Sequence, residues 1–133
     1  MINLKVAEKL RKDMSIQAST QIPQKYEELF CKATEIIAPH VNSKRISVFF
    51  VRDILIVNLV VEERISEYWR DVIIYNLSKI EKFQDERQIM VIFLEELVHA
   101  YYDTLDEYFV GNKVAELYPD VTFNEKTHQY EFK

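Results

Sequence analysis

The chain is poor in the residues on which several common kinds of functional site depend. It has one glycine among its 133 residues, Gly111. Glycine-rich phosphate loops of the Rossmann and Walker types need several glycines where the backbone approaches phosphate, so both are excluded. The one cysteine, Cys31, excludes an internal disulfide and a CxxC zinc site. Cys31 is expected to be a buried, inert thiol in a reducing compartment.

Long apolar runs and basic patches are also missing. No apolar run reaches the roughly 18 residues that a membrane-spanning helix needs. The first residues, MINLKVAEKLRKDM, alternate charged and apolar side chains and lack the apolar centre of a signal peptide. The net charge is −5, from 17 basic and 22 acidic side chains, which argues against nucleic acid as a ligand. We therefore expect a cytoplasmic protein with neither a membrane nor a nucleic-acid partner.

Apolar and aromatic residues are plentiful. The chain is 48% hydrophobic and 29% charged, with 8 Tyr, 8 Phe and 1 Trp. A chain of this length and composition can bury a core of its own, so a single domain over 1–133 is expected.

Periodicity along the chain predicts an α+β fold in which helices pack on a small antiparallel sheet. Gly111 is expected to break the helix before it, and Pro119 to end the short helix that follows. The predicted helices cover 3–14, 23–38, 67–83, 86–109 and 112–117. The predicted strands are 45–51 and 54–61, paired as a hairpin, and a second strand pair in the tail VTFNEKTHQYEF.

The helix predicted over 86–109 carries the most informative segment, VIFLEELVHAYY. At about 100° per residue, its acidic residues and its histidine share a sector roughly 120° wide. A bland interpretation is a solvated face on a helix that is buried elsewhere. The members of this stripe are Glu95, Glu96, His99, Asp103, Asp106 and Glu107.

The same stripe also has the spacing of a metal site. Glu95 and His99 are four residues apart and lie on one helix face, so both could bind a single ion. Glu96 would lie beside that ion, where a carboxylate can take a proton from metal-bound water as the water attacks a carbonyl. The segment EELVH differs by one residue from the HExxH motif of zinc peptidases.

The residues after His99, HAYYDTLDEYFVGNKVAELYPD, extend this likeness. With the motif helix, they resemble zincin metallopeptidases of the ImmA/IrrE type over roughly 23–119. The resemblance implies that His99 is a zinc ligand, that Glu96 is the general base and that Glu107 is the third ligand, with Glu116 as a later candidate. Glu95 stands where the family has its first histidine.

That departure affects both the metal and the activity. A site made of Glu95, His99 and Glu107 would have more oxygen ligands than a zincin site. It would therefore favour Mn or Fe more than a zincin site does, and the candidate ions are Zn, Mn and Fe. The resemblance also implies a regulatory protein partner, since such zincins act on or beside helix-turn-helix repressors in bacterial mobile elements.

Two functions follow as expectations. The first is a zincin-like domain with a degenerate metal motif that is non-catalytic and binds another protein. The alternative is an active metal-dependent hydrolase, a peptidase that uses Glu96 as general base. Of the other histidines, His40 is expected to cap a helix end. His128 is expected on a turn or surface, unless the tail folds back and supplies a missing ligand.

Overall fold

The structure, a computed structural model, describes residues 4–52 and 71–133. Its helices are α1 (Glu8–Arg11), α2 (Gln24–Ile37), α3 (Leu77–Ile80), α4 (Glu86–Tyr101) and α5 (Glu107–Leu117), with a 3-10 turn at Ala38–His40. Its strands are β1 (Met14–Ala18), β2 (Ile46–Val51), β3 (Val72–Asn76), β4 (Val121–Asn124) and β5 (Gln129–Phe132). The predicted α+β class is confirmed.

The larger sheet contains β1, β2 and β3 in that order, and all of its strands are parallel. Its register aligns Ile16, Val48 and Ile73 in a row across the sheet, and all three side chains are buried. Helix α2 lies between β1 and β2 in the chain and provides the long connection that parallel neighbours require. The sequence had predicted β2 as a strand, but not this parallel pairing, and its expected hairpin partner at 54–61 lies outside the described residues.

An aromatic cluster joins this sheet to the two long helices. The rings of Phe30 on α2, Phe50 on β2, Tyr75 on β3 and Phe93 on α4 meet, mostly edge to face, with Tyr75 and Phe93 only 4.9 Å apart between centroids. The Tyr75 hydroxyl donates a 2.8 Å hydrogen bond to the Phe93 carbonyl. This arrangement gives a buried tyrosine a partner for its polar end, and it fixes the height of α4 on the sheet.

Two of the predicted helices were wrong. One segment contains a strand, and the other is helical over four residues only. The described part of 67–83 contains strand β3, followed by the one-turn helix α3. Ile73 and Tyr75 are buried on one face of β3, so its period is 2 rather than 3.6. The helix predicted at 3–14 is confined to α1, after which β1 begins. Pairing with β2 outweighed the local helical pattern in β3.

The helix predicted over 86–109 is divided into two. Helix α4 ends at Tyr101, and α5 begins at Glu107. Between them Asp103 has a φ of 50°, a left-handed conformation that asparagine and aspartate tolerate better than most residues. Asp106 then accepts hydrogen bonds from the amides of Tyr108 and Phe109 and so caps α5. The expected break at Gly111 was wrong, because this glycine is inside α5.

The tail forms the predicted antiparallel hairpin, β4 and β5. It is the small antiparallel sheet of the fold, and it lies against α4 and α5. Phe123 packs directly on Gly111 of α5, and Phe132 lies against Arg87 of α4. Within the two described ranges, no helix has the length and apolar character needed to cross a bilayer.

Candidate functional site

The bend between α4 and α5 brings two of the predicted site residues together. The Nδ1 atom of His99 is 2.7 Å from the Thr104 carbonyl oxygen. Its Nε2 atom is 3.3 Å from Oε1 of Glu107. The His99 side chain is 19% exposed and that of Glu107 is 57% exposed. His99 therefore holds the bend closed through the Thr104 carbonyl and presents its other nitrogen to a carboxylate at the protein surface.

Glu95 has a different partner. Its Oε2 atom accepts a 2.9 Å hydrogen bond from the hydroxyl of Tyr130, on β5. Burial raises the pKa of the Glu95 carboxyl, the bond from Tyr130 offsets part of that rise, and the charges of Glu96 and Glu107 add to it. Burial and the charge of Glu95 also raise the pKa of the Tyr130 phenol, so Tyr130 remains the hydrogen-bond donor at physiological pH.

Glu95 and Tyr130 lie in a groove between α4 and the terminal hairpin. The groove has a volume of about 420 Å³. Most of its walls are aromatic or aliphatic, and its polar groups are Glu95, two glutamine amides, the Tyr130 hydroxyl and a histidine. The lining residues are Phe83, Gln88, Val91, Ile92, Glu95, His128, Gln129, Tyr130 and Phe132.

The remaining predicted residues lie on three different elements: Glu96 on α4, Glu116 on α5 and His128 in the terminal hairpin. Glu96 is exposed. Glu116, the later candidate for a third ligand, forms an ion pair with Lys113 at 2.9 Å. His128 lies in the turn of the hairpin with a φ of 56°, as the surface prediction required, and its ring is 4.5 Å from that of Tyr108.

The predicted metal ligands do not form a centre as they are placed. Glu95 is bound by Tyr130, and the Nε2 atom of His99 faces Glu107 directly. In residues 4–52 and 71–133, no three side chains of the ligating types are arranged to hold an ion. Metal binding therefore stays a prediction.

The groove itself was missed by sequence reasoning. Its second wall comes from β5. Tyr130 on this strand is 35 residues along the chain from Glu95, the residue to which it donates its hydrogen bond, and no local sequence pattern indicates such a contact. One signal was present, since apolar residues alternate along the tail at Val121, Phe123, Tyr130 and Phe132. A hairpin with one apolar face must cover another element, and α4 is largely apolar, with eight buried residues.

Comparison with known proteins adds no assignment for this groove. A scan against protein-family models, a search of curated proteins and a search of solved structures each found no match to the chain. The chemistry of the groove and of the EELVH helix is therefore the basis for inferring function.

Proposed function

We propose that this chain is a non-catalytic, zincin-like domain that acts by binding another protein in the groove between α4 and the terminal hairpin. The observation that carries the proposal is the groove itself, an apolar cleft of about 420 Å³ with a single carboxylate, Glu95, in its wall. Its volume is within the range of roughly 300–1,000 Å³ typical of pockets for small ligands, so it has room for side chains of a partner.

The role of Glu95 supports the non-catalytic part of the proposal. The resemblance to zincins gives this position to a metal-binding histidine. Here it holds a carboxylate whose Oε2 atom is bound by Tyr130 at 2.9 Å. A carboxylate held by a tyrosine in an apolar cleft is suited to recognition, because it offers one fixed acceptor among contacts that exclude water.

The exposed aromatic wall supports the protein-binding part. Phe83 is 40% exposed although it is a large apolar side chain, and it borders the groove together with Phe132 and Tyr130. Interface cores are enriched in aromatic residues and in apolar pockets that anchor single side chains of the partner. This wall therefore has the composition of a docking site.

The experiment is a pull-down from host-cell extract that compares two matched variants, Phe83→Ser and Phe109→Ser. Phe109 is 38% exposed, close to the 40% of Phe83, but it lies on α5 outside the groove. The expected result is a protein partner that the parent chain and Phe109→Ser recover and that Phe83→Ser loses. Recovery of the same partner by Phe83→Ser would refute the proposal, and circular dichroism would establish that both variants are folded.

The metal-dependent hydrolase is the second candidate, because one contact favours it. His99 and Glu107 were both predicted as ligands, and their side chains approach to 3.3 Å. Elemental analysis of untagged protein and of the His99→Ala variant tests this function. Stoichiometric Zn, Mn or Fe that disappears in the variant, together with a peptidase activity abolished by Glu96→Gln, would favour the hydrolase over the binding domain.

A further inference from the structure

We propose that the groove recognises an arginine side chain of its protein partner, with the guanidinium group placed against Glu95 and between the aromatic walls. This inference rests on the proposed function, since it names the chemistry of the segment that docks there. It goes further than protein binding because it assigns one residue type to the centre of the contact.

The acceptor capacity of Glu95 favours a guanidinium group as its partner. A carboxylate offers about four lone-pair positions on its two oxygens. The hydrogen bond from Tyr130 is made to Oε2 at 2.9 Å. A planar guanidinium carries five N–H donors in a fork that matches a carboxylate, whereas an ammonium is a compact point charge. The remaining lone pairs of Glu95 therefore suit arginine better than lysine.

The charge of Glu95 favours a cationic side chain in the groove. Glu95 is the one carboxylate among the described residues that line the groove. A cation placed beside it would be stabilised by this opposite charge, and it would in turn favour the ionised carboxyl. A neutral or anionic side chain would gain no such attraction.

The aromatic walls of the groove also favour a guanidinium group. Phe83, Tyr130 and Phe132 present aromatic rings to the groove, and a guanidinium stacks on such rings. The protein already contains this contact at the edge of the groove, where the guanidinium carbon of Arg87 is 5.3 Å from the centre of the Phe132 ring. The side-chain carbonyls of Gln88 and Gln129 can accept further N–H donors.

The experiment is a titration of isotope-labelled protein, followed by NMR, with the tripeptide acetyl-Leu-Arg-Leu-amide. Two companion peptides carry citrulline or lysine in place of arginine; citrulline keeps the shape of arginine but not its charge. We expect shifts at Val91, Glu95 and Tyr130, and a Kd that increases at least about tenfold with citrulline, since hydrogen bonds between charged groups are worth this much or more.

Two variants locate the effect. Glu95→Gln should remove the preference for arginine over citrulline. Glu131→Gln is the matched control, because Glu131 is an exposed acid on the same strand as Tyr130, and it should keep the preference. Equal binding of the citrulline or lysine peptide, shifts outside the groove, or no shifts at millimolar peptide would each overturn the arginine assignment.

The two proposals fail in different ways. If Phe83→Ser loses the protein partner while Glu95→Gln keeps full affinity for it, the groove binds protein without reading an arginine, and only this inference falls. If Phe83→Ser keeps the partner, the proposed function falls, and an arginine preference of the groove would then describe a site for a small cationic ligand rather than for that partner.

Discussion

At the scale of single residues, Glu95 is the one carboxylate among the described residues that line the groove. Burial raises the pKa of its carboxyl above the value of 4.5 for a solvated glutamate. The native state therefore binds this proton more tightly than the unfolded chain does. The resulting stabilisation is complete below the pKa of the unfolded chain and is lost as the pH rises through the native pKa. At neutral pH the ionised carboxylate makes the free protein less stable than an uncharged side chain would.

The Glu95→Gln variant tests this sign. Glutamine keeps an oxygen that can accept the bond from Tyr130 but has no charge to desolvate. We expect the variant to gain stability relative to the parent chain as the pH is raised from about 4 to about 7.5. Urea unfolding at both pH values measures the difference, with Glu131→Gln as the exposed control. A difference that is the same at both pH values would mean that Glu95 is not desolvated.

At the scale of elements, α5 depends on a glycine for a packing reason. A Cβ atom added at Gly111 would be 2.4 Å from carbons of the Phe123 ring. That ring cannot move freely, because it contacts Tyr130 with 5.1 Å between ring centroids. Gly111 thus permits the hairpin to lie directly on α5, and the hairpin in turn forms the second wall of the groove.

Gly111→Ala should destabilise the protein even though alanine is the better helix former by about 1 kcal/mol. Overpacking typically costs about 1–3 kcal/mol, so we expect a small net loss of stability and a displaced hairpin. Thermal unfolding measures the first, and the NMR shifts of β4 and β5 report the second. In a Phe123→Ala background the same change should be neutral or stabilising, and a persistent loss there would argue against the contact.

The start of α5 gives a second prediction at this scale. The Asp106 carboxylate accepts from the Tyr108 and Phe109 amides at 2.9 and 3.2 Å. Replacing such a cap by alanine costs about 1 kcal/mol. We expect Asp106→Ala to lower the free energy of unfolding by about this amount, and Asp106→Asn, which also caps, to lower it much less. If both variants were equally destabilised, the loss would come from charge rather than capping.

The elements that sequence reasoning predicted correctly are those whose patterns are local. Helix α2, the α4 part of the motif helix, strand β2 and the terminal hairpin all have clear periodicity. The error at 67–83 falls on a segment where pairing of Val72–Asn76 with β2 decides between helix and strand, and the helix predicted at 3–14 is confined to Glu8–Arg11. The bend after Tyr101 depends on the Asp106 cap and on the contact of His99 with the Thr104 carbonyl, neither of which has an apolar signal.

The candidate site divides in the same way. Glu95, Glu96 and His99 lie in one helix as the sequence predicted, since that needs only local periodicity. The pairing of His99 with Glu107 follows from the bend, and the pairing of Glu95 with Tyr130 follows from where the hairpin docks. Both pairings depend on tertiary packing, so the sequence could name Glu95, His99 and Glu107 as site candidates but could not identify Tyr130.

At the scale of the whole molecule, one core connects the sheet, the long helices and the hairpin. Phe93, fully buried, contacts Phe30, Phe50 and Tyr75 of the other layers. The same hydrophobic cluster includes the buried side chains of Val114 on α5 and Val121 on β4. The groove is thus built on elements that share one core, and its stability should follow that of the sheet.

The Phe93→Leu variant tests this coupling. The smaller side chain leaves the aromatic cluster underfilled, and large-to-small changes in cores cost about 1–4 kcal/mol. We expect a lower Tm. Far-ultraviolet circular dichroism, aromatic circular dichroism and the hairpin NMR signals should all report the same single unfolding transition, because a small single domain unfolds cooperatively. Phe109→Leu, a change at a partly exposed ring on α5, should shift the Tm little. A hairpin that melts separately, before the sheet, would show that the groove wall is only weakly coupled to the core, and binding in the groove would then depend on hairpin docking rather than on global stability.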